Sequence, residues 1–172
     1  MAHLNIEIKA RCGHPEKIRA LLLDRNARFI GEDHQIDTYF TVPNGRLKLR
    51  EGTIENNLIH YNRSNQAGPK RSAVSLYKPK PGSSLKPLLS SALGVKVVVN
   101  KRRSIYFIEN VKFHIDEVQE LGSFVEIEAI DEDGSIGETK LQEQCEHYMT
   151  LFEIKPEDLV EVSYSDLLLE KS

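Results

Sequence analysis

Charged and aliphatic residues alternate along this chain in segment after segment. From Leu4 to Cys12, Ile6, Ile8 and Ala10 fall on one parity and Asn5, Glu7, Lys9 and Arg11 on the other. The same period of two sets Lys48 and Arg50 against Leu47 and Leu49. It sets Lys112, His114 and Asp116 against Val111, Phe113 and Ile115, and Glu126 and Glu128 against Val125, Ile127 and Ala129. Lys101 and Arg103 also share a parity. Side chains two apart on a strand point the same way, and a register slip of one would reverse them all. The pattern therefore requires strands with one apolar and one charged face.

Between these strands the chain carries few helical stretches. Pro15 opens a segment in which Ile18, Leu21, Leu22, Arg25 and Phe29 recur at helical spacing, predicting a helix to about Arg28. Gln35 to Thr41 and Arg46 to Glu51 read as a hairpin turning at Pro43, Asn44 and Gly45. Leu58 to Arg63 and Ala73 to Lys78 read as two more strands, joined by a surface loop from Ser64 to Ser72. A Pro- and Gly-rich loop, Pro79 to Ser84, leads into a short helix from Leu85 to Leu93 that Gly94 can end. Val95 to Arg103, Ser104 to Ile108, Val111 to Val118 and Ser123 to Ile130 are β-rich. Ser135 with Glu138 forms a capping box ahead of the stripe Leu141, Cys145, Tyr148 and Phe152, Pro156 is expected to stop that helix, and Ser163 to Glu170 reads as a final one. About eight short strands with a few helices give an α+β fold whose sheet either closes into a barrel or leaves one face wet.

The 172 residues fit a single domain, 1–172, large enough for a core without disulfides. Lys and Arg number 23 against 26 Asp and Glu, so no bulk charge draws the chain to nucleic acid or to an anionic membrane. Cys12 and Cys145 have no partner at metal-ligand spacing and read as free thiols. Met1 to Lys9 lacks a signal-peptide pattern and no apolar run approaches a membrane span, so a cytoplasmic protein is expected.

An antiparallel sheet often simply shows water its charged side. The sorting of charge between strands argues for more: acids pair at Glu126 and Glu128, cations at Lys48, Arg50, Lys101 and Arg103. A polyphosphate with its divalent cation needs both, because phosphate oxygens take Lys and Arg while the cation takes carboxylate oxygens. Asn5-Ile6-Glu7-Ile8-Lys9 resembles the ExExK signature of the CYTH superfamily, the triphosphate tunnel metalloenzymes. The likeness continues in order through Gln35 to Phe40, Gly45 to Arg50, His60 to Arg63, Lys101 to Arg103, His114 to Val118 and Gly122 to Glu128. Within the superfamily the His60 to Arg63 and Gly122 to Glu128 blocks look most like the class IV adenylyl cyclase branch.

The resemblance implies an eight-stranded antiparallel β-barrel, the triphosphate tunnel, with flanking helices and a charged interior. It implies Glu7, Glu126 and Glu128 as ligands of Mg²⁺ or Mn²⁺, and Lys9, Lys48, Arg50, Arg63, Lys101 and Arg103 as the triphosphate-binding cations. Lys9 and Asp116 would be catalytic, Asp116 as metal ligand or general base. The substrate would be a small-molecule triphosphate, ATP favoured, cyclised to cyclic AMP and pyrophosphate. Hydrolysis of inorganic triphosphate, thiamine triphosphate or a nucleoside triphosphate is the alternative, and a non-catalytic triphosphate-binding module the second. Neither nucleic acid nor membrane is expected as a partner, and a homodimer is left open. One departure stands at Asn5, where the signature has Glu and the amide brings no charge. Arg63 shares its parity with Ile59 and Tyr61, so its inward placement calls for a favourable register or a bulge. His60 reads as structural, Asp37 as either tunnel-lining or backbone-bonding, and Lys70, Arg71 and Lys78 as solvated surface cations.

Overall fold

A computed structural model describes residues 2–63 and 65–171. The ends of the expected 1–172 domain and Ser64, the first residue of the expected loop, lie outside them. Among the described residues the strands are β1 (Ala2–Arg11), β2 (Arg28–Phe40), β3 (Arg46–Glu51), β4 (Asn56–Arg63), β5 (Lys70–Tyr77), β6 (Val95–Ile108), β7 (Val111–Val118) and β8 (Gly122–Asp131). They close into an antiparallel barrel in the order β1-β5-β4-β3-β2-β6-β7-β8. Four helices accompany it: α1 (Pro15–Asp24), α2 (Leu85–Leu93), α3 (Glu138–Leu151) and α4 (Tyr164–Lys171). Closure removes every sheet edge and separates an inner from an outer face.

The two parities take different neighbours. Ile6, Ile8 and Ala10 of β1, Val111, Phe113 and Ile115 of β7, and Val125, Ile127 and Ala129 of β8 face outward, under Ile18 and Leu22 of α1 and Leu141 and Cys145 of α3. Phe113 stacks edge-on against Tyr148 and Phe152. A second cluster lies within the barrel toward one end, where Val160 and Tyr164 meet Tyr39, Tyr61, Val99, Val118 and Phe124. The segment after α3 is tied there by Val160 N–H donating to the Lys9 carbonyl at 2.9 Å and by Arg46 Nη2 to Asp166 Oδ2 at 2.6 Å.

Several boundaries differ from expectation for local reasons. Helix α1 stops at Asp24 rather than about Arg28, because Asn26 adopts the left-handed conformation with φ 58°. The two segments expected around Arg103 are one 14-residue strand, paired along its length with a β2 that begins at Arg28. The expected Ser135 cap is not formed. The Asp131 carboxylate instead accepts N–H bonds from Gly134, Ile136 and Gly137, and Gly137 caps α3. Pro156 does not stop α3, which ends at Leu151 ahead of the left-handed Glu153; it opens a single 3₁₀ turn, Pro156–Asp158. At Gly52, between β3 and β4, a Cβ would lie 2.4 Å from Asp33 Oδ2. Only glycine lets that backbone come so close.

Candidate active site

The barrel encloses a cavity of about 620 Å³, a size that suits a nucleotide-scale ligand. Every side chain expected at the site except Asp116 lines it: Glu7, Lys9, Lys48, Arg50, Arg63, Lys101, Arg103, Glu126 and Glu128. Asp116 is buried beside it on β7. Arg63 points inward without any bulge in β4, because the inner face of that strand is Ile59, Tyr61 and Arg63. His60 is on the outer parity, bonded to the Asn44 carbonyl at 2.9 Å. Lys70 departs from expectation: it is 2% exposed and donates to the Glu161 carbonyl at 2.7 Å, its ammonium pulled down by burial to about 8.

Most of the interior cations are already paired. Asp37 accepts two bonds of 2.9 Å from Arg50 and one of 2.6 Å from Lys101, with Lys48 3.6 Å away. Burial pushes the Asp37 carboxyl up, but Arg50, Lys101 and Lys48 together hold it well below the usual carboxylate range. Arg103 donates to both Asp116 oxygens at 2.8 Å and to Glu126 Oε1 at 3.0 Å, and Tyr164 donates to Asp116 Oδ2 at 2.7 Å. Arg63 pairs with Glu7. Such fork-on-carboxylate bonds fix each guanidinium plane while leaving other N–H groups free to meet phosphate oxygens.

Lys9 and Glu128 stand apart from these pairs. Lys9 Nζ sits 3.6 Å from the centre of the Tyr164 ring, and burial, opposed by Glu126, draws its ammonium down to about 7. No hydrogen bond or ion pair among the described residues holds Glu128. Burial lifts its carboxyl to about 7, against Lys112 and with the help of Glu7 and Glu126. Glu128 lies directly across from Glu7 in the β1–β8 ladder, and Glu126 across from Lys9. Asn5 also faces the cavity, and its buried Oδ1 has no hydrogen-bond partner.

Sequence reasoning missed two contributors, Glu55 and Tyr164. Glu55, on the turn after β3, reaches in to Gln35 at 2.8 Å and pairs with Lys112 and, at 3.4 Å, with Arg50. That turn is held by Asp33, which accepts bonds from the Thr53, Ile54 and Glu55 backbone N–H groups. Tyr164 comes from the far C-terminal helix, and Asp37, read as either tunnel-lining or backbone-bonding, instead holds Arg50 and Lys101. The cavity is also uneven along its axis. Arg63, Lys9 and Tyr164 lie toward the filled end. At the other end Ile54, Leu76, Pro79 and Phe107 share the mouth with Asn56, Asn57, His3, Lys78 and Glu132.

The family profile described as CYTH domain matches residues 3–164. No curated protein sequence matches this chain. A protein of Pyrococcus horikoshii OT3 superposes with a TM-score of 0.78 at 24% identity, covering 95% of this chain and 98% of its own. A candidate adenylate cyclase from Vibrio parahaemolyticus gives 0.76 at 19% identity, with 98% and 99% covered. A candidate adenylyl cyclase from Hippeastrum, with a dominant triphosphatase activity, gives 0.60 at 10% identity, with 98% and 95% covered. These likenesses show the shared fold.

Proposed function

The chain belongs to the CYTH domain family, and from that premise we propose that it is a divalent-metal-dependent enzyme converting ATP to cyclic AMP and pyrophosphate inside the barrel. The observation that carries the nucleotide reading is the uneven cavity: a cation-rich interior for phosphates behind a mouth where the apolar side chains of Ile54, Leu76, Pro79 and Phe107 suit a base. Inorganic triphosphate would have no use for Ile54, Leu76, Pro79 and Phe107.

The donor set fits a hard cation. Glu128 is half-buried and makes no ion pair among the described residues, Glu7 is its cross-strand neighbour, and the Asn5 carbonyl oxygen is buried without a donor. Unpaired buried oxygens of this kind are what Mg²⁺ or Mn²⁺ coordinates, and leaving them unpaired is costly. Glu7, Glu126 and Glu128 would hold the ion, with Asn5 as a neutral ligand. When bound, a divalent cation acidifies the attacking hydroxyl and neutralises the leaving pyrophosphate.

The remaining work belongs to the side chains. Lys48, Arg50, Lys101 and Arg103 hold the phosphate oxygens, their orientation set by Asp37 and Asp116 before substrate arrives. Asp116 has both oxygens engaged by Arg103, so its assigned role is to position that guanidinium rather than to act as a base. Lys9, its ammonium drawn down to about 7 and set toward the filled end, can give or take a proton at Nζ at the inner end of the phosphate chain.

The same lysine supports a second reading. Lys9 and Arg63 sit toward the filled end, where a terminal phosphate reaching inward would meet a water that Lys9 could deprotonate. Hydrolysis to diphosphate and phosphate would follow. Incubation with Mg²⁺ or Mn²⁺ and, separately, ATP, inorganic triphosphate and thiamine triphosphate, followed by chromatography, separates the readings. Cyclic AMP with pyrophosphate is the expected product from ATP. Free phosphate selects hydrolysis, and tight binding without turnover contradicts both.

A further inference from the structure

One polar side chain in the cavity has no role above. His114 of β7 is 2% exposed and lines the cavity, yet neither ring nitrogen has a hydrogen-bond partner. A buried imidazole left this way forfeits on the order of 1–3 kcal/mol per polar atom, and such groups call for an explanation. Its neighbours supply one. His114 and Glu126 are directly paired in the β7–β8 ladder, and Nδ1 lies 3.9 Å from Glu126 Oε2. That gap is too long for a hydrogen bond, but two atoms each about 2.0–2.2 Å from one ion at a wide angle are separated by about this much. Donor atoms of His114, Asp116 and Glu126 all come within 4.8 Å of one another. Arg103 already occupies both Asp116 oxygens and Glu126 Oε1, leaving Glu126 Oε2 as the oxygen turned toward the ring.

We propose that His114 is a nitrogen ligand, alongside Glu126, of the divalent cation in the barrel, and that it makes the site select Mn²⁺ over Mg²⁺. The inference rests on the reading that the carboxylates of the cavity hold a cation. Its chemistry is that of donor softness: Mg²⁺ takes oxygen ligands and keeps its waters, whereas first-row transition ions accept imidazole readily. The Arg103 guanidinium beside Glu126 opposes any cation there. Lys9 faces Glu126 and Lys112 faces Glu128 as well, so the carboxylates Glu7, Glu126, Glu128 and Asp116 meet, with Arg63, an equal number of cations, and a neutral imidazole nitrogen adds a donor there without adding repulsion.

The test reads the ion's own ligands. Mn²⁺ is added to metal-free protein labelled with ¹⁵N-histidine or left at natural abundance, and nitrogen coupling is recorded by electron spin echo modulation. The expected result is a coupling that changes with the isotope and disappears in both His114→Phe and His114→Gln. It should persist in His3→Asn, which removes the other histidine lining the cavity. Mn²⁺ affinity should fall on the order of tenfold to a hundredfold in the His114 variants, with Mg²⁺ affinity changed by less than about threefold. If either His114 variant fails to fold, the isotope-dependent coupling in wild type, together with its loss in Glu128→Gln, still locates the ion. Mn²⁺ bound in a Glu128-dependent way without nitrogen coupling overturns the assignment of His114 and leaves the cation site standing. Coupling that survives in a folded His114 variant also overturns it, and absence of Mn²⁺ binding overturns both.

Discussion

Residues 125–129 of β8 show two regions of the molecule one Cβ apart. Val125, Ile127 and Ala129 lie against α1 and α3 in a dry outer core, while Glu126 and Glu128 turn into the barrel. Stability and chemistry are thus divided by parity rather than by position along the chain. The outer face is satisfied by packing alone. The inner face is crowded with like and unlike charges, and Glu128 in particular costs stability whenever it is ionised without a counter-ion.

The sharpest break of that division is on the outer face. Phe113→Ala removes a fully buried ring and its edge-on contacts with Tyr148 and Phe152, costing about 3–5 kcal/mol and lowering the unfolding midpoint by on the order of 10 °C. Turnover per folded molecule should stay within about twofold. A calorimetric scan with an activity assay on the soluble fraction checks both.

Nearly as large is the effect inside, at Asp37→Asn. Arg50 and Lys101 would keep their charges without the carboxylate they share, at about 3–4 kcal/mol. Here substrate affinity should fall as well, since two cations proposed to hold phosphate lose their orientation. Denaturant unfolding beside an ATP titration would show whether the two losses come together; intact affinity would mean that Asp37 serves the fold alone.

Glu128→Gln should act with the opposite sign on stability. The Glu128 carboxyl titrates near 7 in the folded protein and in the ordinary carboxylate range when unfolded, so between those values the folded state holds the extra proton. Stability of the metal-free wild type therefore falls as pH rises through that window. Glutamine removes the fall. At pH 8 in chelator the variant should be more stable by up to about 3 kcal/mol, and the gain should shrink toward zero by about pH 4.5. Unfolding midpoints across pH 4.5 to 8 test it, and parallel curves for the two proteins would contradict the half-buried, unpaired placement.

The smallest effect is at Tyr164→Phe. The lost hydroxyl bond to Asp116 is worth about 1.5–2 kcal/mol, while the ring under Lys9 remains. A stability loss above about 4 kcal/mol would mean that the hydroxyl does more than brace Asp116.

The alternation in β1, β3, β7 and β8 was legible in the sequence because a strand writes its two faces into adjacent residues. Closure of the barrel, and with it the meeting of Lys48 with Glu126 in one cavity, was not a local property and came only from the resemblance. What escaped reading was each contact made across long sequence separation. Tyr164 reaches Asp116 from 48 residues away, and Lys101 reaches Asp37 from 64. Lys70 looked like a surface cation because its loop is polar, and nothing local announced that β5 pairs it beside Glu7. Glu55 carried no signal at all: a turn glutamate is ordinarily solvated, and only the Asp33 carboxylate beneath the turn aims it inward.

One measurement bears most directly on the division between the faces: ATP turnover with Mn²⁺, normalised to folded protein and paired with unfolding midpoints, for wild type, Glu126→Gln, Glu128→Gln and Ile127→Val. The two inward variants should lose on the order of a hundredfold or more in turnover, with Glu128→Gln keeping or raising its midpoint. Ile127→Val should keep its turnover within about twofold and lose about 0.5–1.5 kcal/mol of stability. Wild-type turnover in either glutamine variant, or a collapse of turnover in folded Ile127→Val, would contradict the assignment of chemistry to the inner face.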